Sequence, residues 1–273
     1  MGKFDGILIC TDLDGTLLCE NKNVSLENLE AIEYFKKEGG YFTFVTGRMP
    51  FFVSEIYEVV QPNAPFGCIN GGGMFDHRTQ QYVWTHEAPS KILQLAAYAG
   101  REMPAVGVQV NCFDRIFFCQ ENEVMVGFRE VTGVPDLPGR YEDIHEPIAK
   151  IVFGVETEEE MQRLQTILAN HPQAGEFDFI RSEKTLFEIL PKGINKGSVL
   201  PRLASYLGIS PAKTIAVGDY DNDISMLRAA GVGYAVANAC PAAKQAADRI
   251  TVSNEEHAIA AIVAELENGN CFS

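Results

Sequence analysis

The sequence predicts an α/β fold, a parallel sheet with helices on both faces, interrupted by an inserted α+β segment. Two observations carry this. At both ends of the chain, short apolar strands alternate with amphipathic helical stretches, the β-α-β-α rhythm of a parallel sheet. The middle, roughly residues 83–186, changes texture to alternating or aromatic strands in neighbouring pairs, which implies antiparallel pairing.

Ile7, Leu8 and Ile9 form the first buried strand, and "ICTDLDGTLL", 9–18, ends it at Asp12-Leu13-Asp14 followed by Gly15-Thr16. A turn explains the glycine but not two acids at a strand tip, where open α/β sheets bind ligands. Ser25 caps a helix with Leu26, Leu29, Ile32 and Phe35 on one face, stopped by Gly39-Gly40. "YFTFV", 41–45, is the next strand, bounded by Thr46-Gly47-Arg48. Pro50 opens a helix running to about Val60, and "FGCIN", 66–70, reads as a third strand of the same sheet.

In the insertion, helices are expected at 90–101, 122–131 and 157–170, the last with an acidic start, "TEEEMQ", that suits the helix dipole. Strands are expected at 105–113, 115–120, 150–156 and 177–183. After it, 195–207 reads as a helix despite Pro201, which implies a kink. Strand "TIAVGD", 214–219, helix 223–230, strand 233–238, a short helix near 241–247, strand "RITVS" and a final helix 255–267 complete the chain. The division expected is a discontinuous Rossmann-like core, 1–82 and 188–273, and an inserted α+β domain, 83–187. Its hinges fall near Gln80-Gln81 and Pro191-Lys192. Phe51-Phe52 and Phe117-Phe118 are assigned to packing.

Composition narrows the function. The 273 residues are 46% hydrophobic and 22% charged, ordinary for a globular protein. A net charge of −15 with no basic stripe argues against a nucleic-acid partner, and an anionic substrate would need a local positive site. No apolar run reaches the roughly 18 residues of a membrane helix, and the N-terminus lacks a secretory layout. Seven cysteines (10, 19, 68, 112, 119, 240, 271) without a C-x-x-C suit free thiols in a reducing cytoplasm. The five histidines form no i, i+4 pair, which argues against zinc. A cytoplasmic monomer or weak homo-oligomer acting on a small molecule is expected.

In a parallel sheet, Asp12, Thr46, Asn70 and Asp219 follow strand carboxyl ends and share one edge. "GDYDND", 218–223, adds Asp221, Asn222 and Asp223. Acids that close repel and raise one another's pKa, which a divalent cation relieves. Oxygen donors without histidine or cysteine favour Mg²⁺. The bland alternative for 218–223 is a solvated helix cap. Thr46-Gly47, leading into a helix, offers a hydroxyl and backbone N–H groups to an anion. Lys196 opens a helix, where lysine is disfavoured by the dipole, which points to a purpose beyond the helix itself. One carboxylate to attack phosphorus, a second to move the proton, a metal, a lysine and a threonine together suggest phosphoryl transfer through an aspartyl-phosphate.

The chain resembles the haloacid dehalogenase-like phosphohydrolases, and among them the Cof-like branch with a large α/β cap. The resemblance rests on "DLDGTLL", "TFVTGR", "NKGSVL" and "VGDYDNDISML", with "INGGG" and "AVANACPAAKQAAD" beside them, over 4–73 and 188–254. It implies Asp12 as nucleophile and Asp14 as general acid, then base. It implies Mg²⁺ on the Asp12 carboxylate, the Asp14 backbone carbonyl and Asp219, with Asp223 supporting through water or as a ligand. Thr46, Gly47 and Lys196 would hold the phosphate. Asn222 would line the substrate side or orient Lys196. Arg48 would bind substrate or pair with acids, and Asn70 stays open between site and scaffold. The substrates implied are sugar phosphates or related small phosphomonoesters. A phosphosugar mutase uses the same chemistry. A non-catalytic sugar-phosphate sensor would be expected to damage Asp12, Asp14 or Lys196, all intact here. A receiver-type phosphoacceptor has no place for the insertion.

Overall fold

A computed structural model describes residues 2–269, which form two compact units, 2–85 with 195–269 and 86–194. Cys271 lies outside the described residues. In the first unit, β1 (Leu8–Thr11) is wholly buried and leads through the Asp12–Thr16 turn to α1 (Leu26–Lys37). Ser25 caps α1 by accepting from Asn28 N, and Ile32 and Phe35 face the core. Leu26, expected on that face, is 65% exposed because it is the first helical residue, before the helix meets the sheet. β2 (Tyr41–Phe44) follows, then a 3-10 turn at Pro50–Phe52 and α2 (Ser54–Val60).

β3 (Phe66–Cys68) departs from the sequence reading. It is not a full strand of the parallel sheet but pairs antiparallel with β4 (Gly73–Asp76), which pairs with β5 (Gln81–Thr85). One parallel bridge, Val45 to Gly67, ties this three-stranded sheet to the larger one. The strand ends early because Ile69 and Asn70 take left-handed backbone (φ 57° and 50°), which no strand sustains. Gln80-Gln81, the anticipated hinge, lies at the turn between β4 and β5, with Gln80 at φ 56°.

The second unit holds α3 (Ile92–Glu102), β6 (Gly107–Cys112), β7 (Ile116–Gln120), α4 (Glu123–Thr132), β8 (Ile148–Gly154), α5 (Glu158–Ala169), β9 (Phe177–Arg181) and β10 (Leu186–Pro191). Its sheet runs β7-β6-β8-β10-β9, antiparallel throughout. Val108 and Val110, Ile151 and Phe153, and Phe187 and Ile189 join Leu95 of α3 and Leu164 of α5 in one apolar core. The alternate face carries Gln109, Asn111, Lys150 and Glu188, the last two paired at 2.8 Å. Thr157 and Glu160 close a capping box on α5, at the acidic start expected to suit the helix dipole.

The chain returns to the first unit with α6 (Lys196–Leu207), β11 (Thr214–Gly218), α7 (Ile224–Ala229), β12 (Val232–Ala235), α8 (Pro241–Ala246), β13 (Arg249–Ile250) and α9 (Ala258–Glu267). α6 continues through Pro201 as one helix, at the loss of a single hydrogen bond. The main sheet runs β13-β12-β11-β1-β2, all parallel. The step from β1 to β2 and the step from β11 to β12 go in opposite directions. Both crossovers being right-handed, α1 and α7 fall on opposite faces. Among the described residues no helix is long and apolar enough to cross a membrane.

Candidate active site

That reversal of direction between β1 and β11 opens a crevice at the carboxyl ends of two adjacent strands. Asp12 follows β1 and Asp219 follows β11, so the two acids arrive from neighbouring chains of the sheet. Asp12 N continues the ladder, donating to Val217 O at 2.9 Å. Gly15, at φ 76°, carries the β1 loop past Asp219, where an added Cβ would meet the carboxylate at 2.6 Å. Thr16 is buried, and its hydroxyl donates to Asp219 Oδ1 at 2.7 Å.

Lys196 reaches the same point from the first turn of α6. Asn195 caps that helix in a box with Ser198, and Gly71, at φ 94°, packs under the cap so closely that a Cβ would sit 2.0 Å from Asn195 O. Thus the glycine run that follows β3 also seats the start of α6. The Lys196 ammonium is fully buried and donates to Asp12 Oδ1 and Asp223 Oδ1, both at 2.6 Å. The other oxygen of Asp223 accepts from the backbone N–H of Asp219 and Tyr220 at 2.9 and 3.0 Å. Asp223 is therefore spent on holding the 219–223 turn and Lys196.

One ammonium faces three carboxylates, Asp12, Asp219 and Asp223, each of which has an oxygen within 4.8 Å of the others. Burial pushes the Asp12 pKa well up against the pull of Lys196, with Asp223 and Asp219 adding to the rise. Burial and the Asp223 charge push Asp219 to about 6. Burial opposes the charge on Lys196, but Asp12 and Asp223 more than offset it and hold the amine above its ordinary value. An uncompensated negative charge set among oxygen donors fits a hard divalent cation. Asp12 and Asp219, whose oxygens are less committed than those of Asp223, are the donors best placed to hold it.

Asp14 stands apart from this cluster. Arg48 grips both its oxygens with one edge of the guanidinium, Nε to Oδ2 and Nη2 to Oδ1, each at 2.8 Å, and Lys22 Nζ adds a third contact to Oδ1 at 3.0 Å. Burial raises its pKa, but Arg48 and then Lys22 bring it below the usual carboxylate value. Of the two roles open to Arg48, the structure places it against the acid.

Thr46 follows β2 and is knitted to the β3 end, its N–H donating to Gly67 O and its carbonyl accepting from Asn70 N, both at 3.0 Å. Its hydroxyl accepts from Arg48 N at 3.2 Å. Gly47 lies against the Asn70 carboxamide, whose oxygen accepts from Asn222 Nδ2 at 3.1 Å. The left-handed turn at Asn70 thus links the second and fourth motif segments. Two residues went unnamed as site residues in the sequence reading. Thr16 stood within the quoted "DLDGT" stretch, whereas Lys22 lies in a turn with no motif to mark it.

A family model for haloacid dehalogenase-like hydrolases matches residues 9–263. The 5-amino-6-(5-phospho-D-ribitylamino)uracil phosphatase YitU of Bacillus subtilis is 28% identical over 263 residues, spanning 94% of this chain and 96% of that protein. Phosphatase YwpJ of the same organism is 29% identical over 290 residues, spanning 95% and 99%. Among solved structures, the HAD subclass IIB sugar phosphatase BT4131 superposes with a TM-score of 0.82 at 23% identity, covering 97% of this chain and 99% of that one, a likeness of fold.

Proposed function

The chain belongs to the haloacid dehalogenase-like hydrolases and is a phosphatase of that family, and from this premise we propose the reaction its site performs. Asp12 attacks the phosphorus of a small phosphomonoester monoanion, the bond to the leaving oxygen breaks, and Asp14, a carboxylate in the free site, takes up the monoanion's proton and passes it to that oxygen. Asp14, again a carboxylate, takes a proton from water as the water attacks the same phosphorus. The Asp12–phosphorus bond breaks, inorganic phosphate leaves with that proton, and both carboxylates are restored.

Lys196 keeps Asp12 turned inward and holds a phosphoryl oxygen, while Thr46 and Gly47 offer a hydroxyl and N–H groups to the others. Asn222, through Asn70, braces the turn that carries Asp223. Asp12, Asp219 and the Asp14 carbonyl would hold Mg²⁺, which would supply positive charge for the phosphoryl oxygens. The uracil-phosphatase relative is named for a phosphorylated ribitol derivative, so polyol and sugar phosphates head the substrate classes considered. The six free thiols among the described cysteines suit a cytoplasmic setting.

The observation that carries this reading is the buried ammonium of Lys196 bridging Asp12 and Asp223 beside Asp219. The test is phosphate release from a panel of sugar phosphates, polyol phosphates, nucleotides and p-nitrophenyl phosphate, with Mg²⁺, with EDTA, and with Asp12→Ala. Turnover that requires metal and vanishes in Asp12→Ala supports it. No release by folded protein with Mg²⁺ from any member of the panel would overturn it.

A further inference from the structure

The turn that carries Lys22 is built as a fixed arm. Leu18 bridges back to Asp14, and Leu18 N donates to Leu13 O at 2.9 Å. Cys19 and Asn23 close the turn, with Cys19 N donating to Asn23 O and Lys22 N to Cys19 O, each at 2.9 Å. From outside, Asn254 Nδ2 donates to Leu18 O at 2.9 Å, and Glu20 N donates to Glu255 Oε1 at 2.6 Å. The backbone from which the lysine extends is therefore tied to the body of the unit on both sides.

Lys22 itself sits at φ 63°, in the left-handed region that lysine seldom adopts. Asn21 and Asn23 flank it, and asparagine tolerates that conformation better. Strain of this kind persists where the surroundings impose it, and an observed outlier points to function. The consequence here is direct: the ammonium arrives 3.0 Å from Asp14 Oδ1, the oxygen that also receives Arg48 Nη2. Arg48 comes from the segment after β2 and Lys22 from the segment after β1, so the carboxylate is gripped by independent arms.

We propose that Lys22 is a positioning residue for proton transfer to the leaving group, fixing the Asp14 carboxyl through its Oδ1 from a segment independent of the one that carries Arg48. This rests on the general-acid role proposed for Asp14. A group that positions the acid matters most when the leaving oxygen is strongly basic and matters little when it departs readily without a proton.

The experiment compares kcat for β-glycerophosphate, an alkyl ester, with kcat for p-nitrophenyl phosphate, using wild type, Lys22→Ala, Lys22→Arg and Asp14→Asn. General acid catalysis contributes about 10²–10⁴-fold. Loss of one of its anchors is expected to lower kcat for the alkyl ester roughly tenfold, and that for the aryl ester less than about threefold. Lys22→Arg should recover most of the loss. Lys22 has a 66% exposed side chain, so its removal should leave the unfolding midpoint in place, which is measured alongside. An equal fall on both substrates, or none on the alkyl ester, overturns the proposal while selectivity in Asp14→Asn leaves the general-acid reading standing. If Asp14→Asn also lacks selectivity, both fall together.

Discussion

Lys196→Met should destabilise the metal-free first unit by about 3–5 kcal/mol at pH 8, the cost typical of removing one partner from a buried ion pair. At an effective dielectric of about 20, each 2.6 Å contact to Asp12 and Asp223 is worth roughly 6 kcal/mol before desolvation. Burying the ammonium cancels much of that, which is why the net figure is smaller. Methionine fills similar volume, so the loss reports charge rather than a cavity. Removing the cation also pushes the carboxyls of Asp12 and Asp219 further above their unfolded values, beyond the rise that burial and Asp223 already impose.

The sign of the pH dependence follows. A folded carboxyl with a raised pKa binds a proton that the unfolded chain has lost, so stability falls as pH rises from about 4 through the folded value. The deficit of Lys196→Met should therefore shrink by roughly 1–2 kcal/mol at pH 5, where the acids take up protons. Urea unfolding in EDTA, followed by the fluorescence of the single tryptophan, measures it. Trp84 lies in β5 of the first unit with the Arg202 guanidinium 4.1 Å from its ring, so the signal belongs to the unit under test. A loss below about 1 kcal/mol at pH 8, or one that grows at pH 5, would refute the electrostatic reasoning.

Two further outcomes are expected. Asp219, held at about 6, must be ionised to bind a cation, so the stabilisation given by Mg²⁺, about 2.7 kcal/mol at a hundred times its Kd, should be full above pH 7 and fade below 6. Thermal unfolding with and without Mg²⁺ across pH 5–8 checks this, and Asp219→Asn should abolish the Mg²⁺ effect. Gly71→Ala should cost on the order of 2–4 kcal/mol in urea, because its Cβ would collide with Asn195 O at a left-handed backbone and displace the start of α6.

Much of this architecture was legible before any coordinates. Strands such as 41–45 and 214–219 are compact apolar runs between turn residues, and Ser25 announces a helix start through a side chain that satisfies an exposed N–H group. Parallel strands place their carboxyl ends on one edge, which is why Asp12, Asp219, Asp223 and Lys196, far apart in sequence, could be grouped. What was missed has local causes. β4 begins at Gly73, after three residues whose glycines resemble a terminator, and β10 holds buried Glu188 and ends in Pro191, so neither alternates cleanly. β3 was assigned to the wrong sheet because its run of apolar residues says nothing about which neighbour it pairs with. The pairing of Arg48 with Asp14 and the reach of Lys22 depend on side-chain direction, which periodicity does not encode.

The central claim is that the phosphoryl group passes through Asp12. A single turnover with Mg²⁺ and excess enzyme, quenched in acid within milliseconds and followed by peptide mass spectrometry, tests it most directly. A phosphoryl adduct on the peptide containing Asp12, appearing before free phosphate and absent in Asp12→Asn, is the predicted result. Turnover that proceeds in Asp12→Asn, or an adduct on another residue, would contradict it.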